Sequence, residues 1–270
     1  MNDLPPLADT HCHLCLPAFD PDLPEVLERA RQEGVERILV PGIDLETSRR
    51  AVELAEDHKD VFAAVGVHPH HAGTYNPATR RSLRQLAESR RVVAIGEIGL
   101  DYYRDLSPRP VQLQAFEDQL GLAEEVGRPV VVHDRLATTD LMERLVAWAA
   151  ERDNPGVLHA FSSDAGAAAA ATASGFYLGV GGPITFPNAG DRREVTRGLP
   201  RGRVLLETDS PYLTPHPYRG RRNEPARVAL IAATLSEIWE SEPAETRRLA
   251  WENAAALFHW DYEADNRHLL

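Results

Sequence analysis

A chain of 270 residues, 43% hydrophobic and 26% charged, has material for a sizeable packed core and is no disordered tail. Its formal net charge of −12 excludes a protein that holds nucleic acid across a broad basic face, though not one that concentrates positive charge in a groove or on metal ions. No run approaches the ~20 apolar residues of a membrane span. The opening MNDLPPLADTHCH lacks the basic and apolar regions of a signal peptide, so a cytosolic protein is expected.

The first apolar run, LADTHCH (7–13), ends in two histidines. Residues i and i+2 of a strand share a face, so His11 and His13 point together and Cys12 points into the packing behind them. Cys12 and Cys15 make a C-x-x-C spacing, but it closes a strand instead of opening a helix, and the two further cysteines of an all-cysteine zinc site are missing. A helix is predicted over 21–34, where apolar residues recur at helical spacing before Gly34. Strand RILVPGI (37–43) and a helix over 44–58, opened by the capping Asp44, come next. Strand FAAVGVH (62–68) ends in His68 and precedes a helix over 77–90. Strand VVAIGEIGL (92–100) carries Glu97 and leads to a long helix over 109–127. Strand PVVVHDR (129–135) carries His133 and Arg135, with a helix over 137–153 behind it. GVLHAF (156–161) carries His159 and precedes an alanine-rich helix over 164–175. FYLGVGG (176–182) is followed by a weak helical signal at 193–200. RVLLETDS (203–210) carries Asp209, and helices over 224–241 and 243–259 close the pattern.

Eight nearly continuous apolar runs alternating with helices predict a parallel α/β fold with strands buried on both faces. The spacing leaves no room for a linker, so one domain over 1–270 is expected, with 259–270 as a C-terminal tail. A TIM-type (β/α)8 barrel suits this length, roughly 250 residues being typical. The alternative, an open doubly wound sheet, usually opens on a glycine-rich turn that DTHCHL lacks.

The polar residues in these runs gather toward strand C-terminal ends, which converge on one mouth in a closed barrel. Singly, each has a plain structural reading: a hydrogen-bonded histidine, a capping Asp209, a paired Glu97. Together, four imidazoles (His11, His13, His133, His159) and two carboxylates (Glu97, Asp209) at one barrel end require a compensating cation. Six such ligands can hold two metal ions with one carboxylate between them, and imidazole with carboxylate suits zinc, manganese or magnesium. No nucleophile elbow and no phosphate-binding Gly-rich loop is present.

DTHCHL, VGVHPH, AIGEIGLDYY, PVVVHDR, GVLHAFS, LLETDSPYLTP and RRNEPA, in that order, resemble the TatD family of metal-dependent deoxyribonucleases, amidohydrolase-like barrel enzymes, over residues 7–258. The resemblance implies hydrolysis of DNA phosphodiesters, often 3′ to 5′ on single-stranded ends. It carries metal-ligand roles onto His11, His13, Glu97, His133, His159 and Asp209, and makes His68 a site histidine reaching the metal cluster or the substrate phosphate. Two positions depart from the family pattern: Leu136 stands where an acid is usual after H-x-R, and Ser163 where glycine is usual. Asp134 points away from His133 by strand parity and does not replace that acid.

The expected chemistry is metal-assisted phosphodiester hydrolysis with Asp209 as general base and His68 and Arg135 stabilising charge on the phosphate. Arg104, Arg219, Arg221 and Arg222, with Tyr102, Tyr103 and Tyr218, lie in loops that could grip a single strand. Rival readings are an amidohydrolase acting on another ester or amide, such as the ester of a mischarged tRNA, and a non-catalytic metal-binding protein. No long hydrophobic face is left over, so a monomer is expected.

Overall fold

The computed structural model describes residues 4–150 and 152–260, and the expected tail beyond residue 260 lies outside them. Eight parallel strands follow one another around a single sheet in chain order. They are β1 (Leu7–Asp9), β2 (Val35–Pro41), β3 (Val61–Val65), β4 (Val92–Asp101), β5 (Val130–Arg135), β6 (Gly156–Leu158), β7 (Tyr177–Val180) and β8 (Val204–Leu206). Around them run α1 (Leu23–Gln32), α2 (Leu45–Asp57), α3 (Pro77–Leu86), α4 (Arg109–Val126), α5 (Thr138–Ala149), α6 (Ala165–Ala173), α7 (Gly190–Arg197), α8 (Val228–Trp239) and α9 (Pro243–Phe258). The ring closes just past the ends of β8 and β1. There Thr10 N donates to Leu206 O, Asp209 N to His11 O and His13 N to Ser210 O, at 3.0, 2.8 and 2.8 Å. The fold is the expected (β/α)8 barrel.

Local chemistry sets several helix boundaries. Asp44 accepts from Thr47 N while the Thr47 hydroxyl accepts from Asp44 N, a reciprocal cap that starts α2. Asn76 caps α3, with Pro77 as its first residue, and Asp164 caps α6. Gly127 ends α4 in the left-handed conformation. The seventh helix lies at Gly190–Arg197, earlier than the 193–200 suggested by its weak periodicity.

Strand alternation divides the core. Val61, Ala63 and Val65 of β3, and Val130 and Val132 of β5, pack outward against the helices. Phe62, Ala64, Val131, Val157 and Leu205 point inward, where Leu257, Phe258 and Trp260 at the end of α9 pack onto them. The inward parity then runs up each strand: Ala64 to Gly66 to His68, Val131 to His133, Val157 to His159, Leu205 to Glu207 to Asp209. Apolar residues thus fill one end of the barrel, and the same face delivers polar side chains to the other.

Four site-bearing runs are shorter as strands than their apolar character predicts. β1 ends at Asp9, β3 at Val65, β6 at Leu158 and β8 at Leu206, each before its site residue. Beyond those points ladder bonds give way to irregular ones. Thr208 N, for instance, donates to Asp9 Oδ1 at 2.8 Å. Irregular backbone at a barrel mouth is where side chains can be re-aimed.

Candidate active site

Glu97, 2% exposed, stands at the centre of the mouth. Its Oε2 lies 3.3 Å from His11 Nε2 and 3.5 Å from His13 Nε2. Its Oε1 lies 2.8 Å from His159 Nε2, 3.0 Å from His133 Nδ1 and 3.4 Å from His68 Nε2. Asp209 Oδ1 joins the first group, 3.4 Å from His13 Nε2 and 3.8 Å from His11 Nε2. One carboxylate therefore divides five imidazoles into two sets, one set to each oxygen. Asp209 sits in the left-handed region with φ 55°, held there by its own N–H on His11 O and its carbonyl on Tyr212 N. A non-glycine residue in that region carries strain that its surroundings must hold.

Ring nitrogens crowd each other in both sets: His11 Nε2 and His13 Nε2 are 3.2 Å apart, as are His133 Nδ1 and His159 Nε2. Three clusters, His11–His13–Glu97, His68–Glu97–His133 and His11–His159–Glu207, each bring ligand-type atoms within 4.8 Å of one another. Convergent imidazole and carboxylate donors, buried and facing each other, fit divalent metal ions.

Hydrogen bonds on the far side of three of the rings sort these histidines. His13 Nδ1 lies 3.3 Å from the carbonyl of Pro41, which can only accept, so Nδ1 carries a proton and Nε2 is the nitrogen left to bind a metal. His133 Nε2 faces Asp101 Oδ2 at 3.2 Å, which leaves Nδ1 as the donor toward a metal. His68 is reversed. Its Nδ1 accepts from His70 N at 3.1 Å, so its Nε2 carries a proton aimed at Glu97 Oε1. This tautomer makes His68 a hydrogen-bond donor within the cluster.

Charge balance follows the same geometry. Burial would raise the Glu97 carboxyl, but His159, His68 and His11 outweigh it and hold it well below the usual carboxylate range. Burial likewise opposes ionisation of Asp209, and the bond to His13 and the neighbouring imidazoles pull it down. Burial lowers His11, and it lowers His68 to about 4. His13 and His159 are raised well above the ordinary histidine value, because Asp209 for one and Glu97 for the other overcome their burial.

The cluster lies at one side of a cavity of about 1170 Å³ whose walls include Arg104, Arg135, Phe161, Ile184, Phe186, Arg192 and Tyr212. The chain matches the profile described as TatD related DNase over residues 8–259.

The chain belongs to the TatD-related DNase family. Its similarity to individual members runs nearly end to end. It is 43% identical over 252 residues to the uncharacterized metal-dependent hydrolase YabD of Bacillus subtilis, covering 93% of this chain and 98% of that one. It is 38% identical to the 3′-5′ ssDNA/RNA exonuclease TatD of Cronobacter sakazakii, covering 89% and 93%. The crystal structure of the TatD homolog YJJV of Escherichia coli superposes with a TM-score of 0.89 at 34% identity, covering 94% and 98%. Members of this family are metal-dependent hydrolases and nucleases.

In this TatD-related DNase all six expected ligand residues converge, and His68 lies among them. Arg135 lines the cavity with its guanidinium 4.0 Å from the centre of the Tyr103 ring. The loop expectations divide. Tyr102 is turned away: its hydroxyl donates to Asp140 and Arg109 covers its ring. Arg222 is spent on Asp22, bonding both carboxylate oxygens at 2.7 and 2.8 Å. Tyr103 and Tyr218 are partly to well exposed, and Arg104 borders the cavity.

Several residues went unassigned by sequence reasoning. Asp101, fully buried, accepts from Arg104 N and Tyr103 N at 2.7 and 2.9 Å and holds both His133 and His70. Glu207, 1% exposed, accepts from Ala160 N and lies 3.8 Å from His159 Nδ1. Asp9 binds Thr208 through N–H and hydroxyl. Strand period held a signal for all three, since Asp9, Asp101 and Glu207 lie an even number of residues from His11, Glu97 and Asp209. Tyr212, 56% exposed and edge-on to His13, also lines the cavity.

The two departures occupy different settings. Leu136 is 74% exposed, with φ 55°. Ser163 Oγ lies 2.9 Å from Thr138 Oγ1 and 3.4 Å from Asp134 Oδ2, tying the loop after β6 to the start of α5. Asp134 is spent in that network and bonds none of the cluster, in line with its expected parity.

Proposed function

We propose that this chain is a metal-dependent exodeoxyribonuclease that shortens single-stranded ends from the 3′ side, working as a monomer in the cytosol. The observation that carries the reading is the position of Glu97, whose two oxygens each face a separate set of nitrogen donors. His11, His13 and Asp209 would hold one divalent ion, His133 and His159 the other, with Glu97 shared. Magnesium, manganese or zinc suits this mixture of donors. Ions bound there would supply Lewis acidity toward the phosphoryl oxygen and acidify the attacking water.

The protein's own groups supply the rest. Asp209, whose carboxyl the bond to His13 and the neighbouring imidazoles hold below the ordinary aspartate value, borders the cavity and can take a proton from water attacking the phosphorus. The Nε2 proton of His68 is available to a non-bridging phosphate oxygen, and Arg135 can stabilise charge that builds there. Tyr212 offers an exposed ring on which an unpaired base can stack. The barrel from residue 7 to residue 258 acts as one domain.

The test is nucleotide release from a 5′-labelled single-stranded oligonucleotide by metal-stripped protein, before and after magnesium, manganese or zinc is restored. Stepwise 3′ shortening that needs metal is expected. Asp209→Asn should abolish it while the circular dichroism spectrum stays unchanged. A folded protein that takes up metal yet cleaves no strand would overturn the nuclease reading and direct attention to esters and amides.

A further inference from the structure

The mouth contains a cation that the chemistry above leaves unused. Arg192, on α7, lines the same cavity as Glu97, His133 and Asp209. Its side chain is half-buried, and burial pushes its pKa down, so the charge is held at a cost. Its one protein hydrogen bond among the described residues runs from Nη1 to the carbonyl of Phe161 at 3.2 Å. No carboxylate of the described residues lies within ion-pair distance of it, whereas Arg29, Arg31, Arg80, Arg144 and Arg222 all have acidic partners. Arg193, Arg203, Arg227 and Arg247 are likewise half-buried or buried without a carboxylate partner among the described residues, but of these unpaired guanidiniums Arg192 is the one that lines the cavity.

The side chain is also pre-positioned. Its neighbour Arg193 donates to the carbonyls of Ile184 and Phe186 at 2.7 and 3.1 Å, fastening α7 to the segment after β7. The bond to Phe161 then fastens Arg192 itself across to the loop that follows His159. A guanidinium fixed this way still has N–H groups free for the planar, two-pronged recognition that phosphate accepts. Beside it Phe161, Ile184 and Phe186 give the cavity an apolar wall against which a base can lie.

We propose that Arg192 binds the phosphodiester next to the scissile one, on its 5′ side, and so makes the enzyme favour strands with at least two internucleotide phosphates. The proposal rests on the nuclease reading above. Among the described residues Arg192 pairs with neither Glu97 nor Asp209 and bonds only the carbonyl of Phe161, so its charge stands outside the ligand cluster and is free for a second phosphate. At a 3′ end the leaving side carries no further phosphate, so the neighbouring anion lies on the 5′ side.

The experiment compares a thymidine dinucleotide, with one phosphodiester, and a trinucleotide, with two, as substrates of wild type, Arg192→Met and Arg192→Lys holoenzymes. Loss of a charged hydrogen bond predicts that Arg192→Met lowers the trinucleotide's advantage in kcat/KM about ten-fold or more, carried by KM, with partial rescue in Arg192→Lys. In a second arm, metal-stripped proteins bind a fluorescent oligothymidylate across a salt series. One lost phosphate contact should reduce the slope of log affinity against log salt by about 0.7. Equal loss on both substrates, a loss in kcat alone, or no loss would overturn the proposal. If wild type cleaves neither substrate, the nuclease reading fails separately. The binding arm then decides Arg192: a reduced slope supports its phosphate contact and an unchanged slope overturns it.

Discussion

Replacing Asp101 by asparagine tests whether the outer partner of a histidine governs the metal centre. Asp101 Oδ1 accepts from the backbone N–H groups of Tyr103 and Arg104. Its Oδ2 faces His70 Nε2 at 2.8 Å and His133 Nε2 at 3.2 Å. Asparagine has nearly the same volume and can keep the two backbone bonds through its carbonyl, but it turns an NH2 group toward both rings. His133 then loses the acceptor that keeps its proton on Nε2. The neutral ring is drawn to the other tautomer, with a proton on Nδ1 pointing at Glu97 Oε1, 3.0 Å away. Loss of such outer contacts typically weakens metal affinity or activity about 10–100-fold, or about 1.4–2.7 kcal/mol. Chelator competition with stripped protein is the assay: one of two binding steps should weaken by that factor and the other should hold. Asp101 also shapes the acid limit of the metal-free protein. Burial opposes its ionisation, but His133, the Arg104 N–H and His70 hold its folded pKa below the ordinary aspartate value. Its contribution to stability is therefore present above about pH 4 and is lost as pH falls toward the folded pKa. Asp101→Asn should flatten that part of the stability curve. An Asp101→Asn protein that binds both ions as tightly as wild type would refute the tautomer argument.

Two further outcomes follow from the same geometry. Gly179 leaves room for Glu207, since a Cβ at that position would stand 2.2 Å from Glu207 Oε2. Gly179→Ala should cost about 1–3 kcal/mol in denaturant unfolding and loosen metal binding through a displaced Glu207, and unchanged values for both would remove Glu207 from the support of His159. Metal at 100-fold over its dissociation constant should stabilise the fold by about 2.7 kcal/mol per site, so chelation should lower the melting temperature reversibly. A melting temperature indifferent to chelator would mean that the cluster holds no ion.

Much of the barrel was legible because burial on both faces writes eight apolar runs into the sequence, and period two sends His68, His133, His159 and Asp209 to the inner face at one end. The shortened β1, β6 and β8 were not legible. The expected runs reach His13, Phe161 and Ser210, while the ladder stops where side chains such as Asp9 claim backbone donors. Tyr102 and Arg222 were misjudged for a different reason. Composition marks a loop arginine or tyrosine as available, but Asp22 lies 200 residues from Arg222 and Asp140 lies 38 from Tyr102, and only the fold brings each pair together.

The separation of His68 from the other site histidines shows what kind of information a motif lacks. Its ring is as close to Glu97 as that of His13, and both histidines end an inward-facing run. What distinguishes them is the group on the far nitrogen: a backbone N–H for His68 and a carbonyl for His13. That carbonyl belongs to Pro41, 28 residues away at the end of β2, whereas the N–H belongs to His70, two residues on. One ring thereby turns a proton to the site and the other turns the nitrogen that can give up its proton to a metal, although both imidazoles stand on the same barrel face. Residue type and strand parity bring a histidine to the mouth, and main-chain atoms behind the ring decide which chemistry it can perform there.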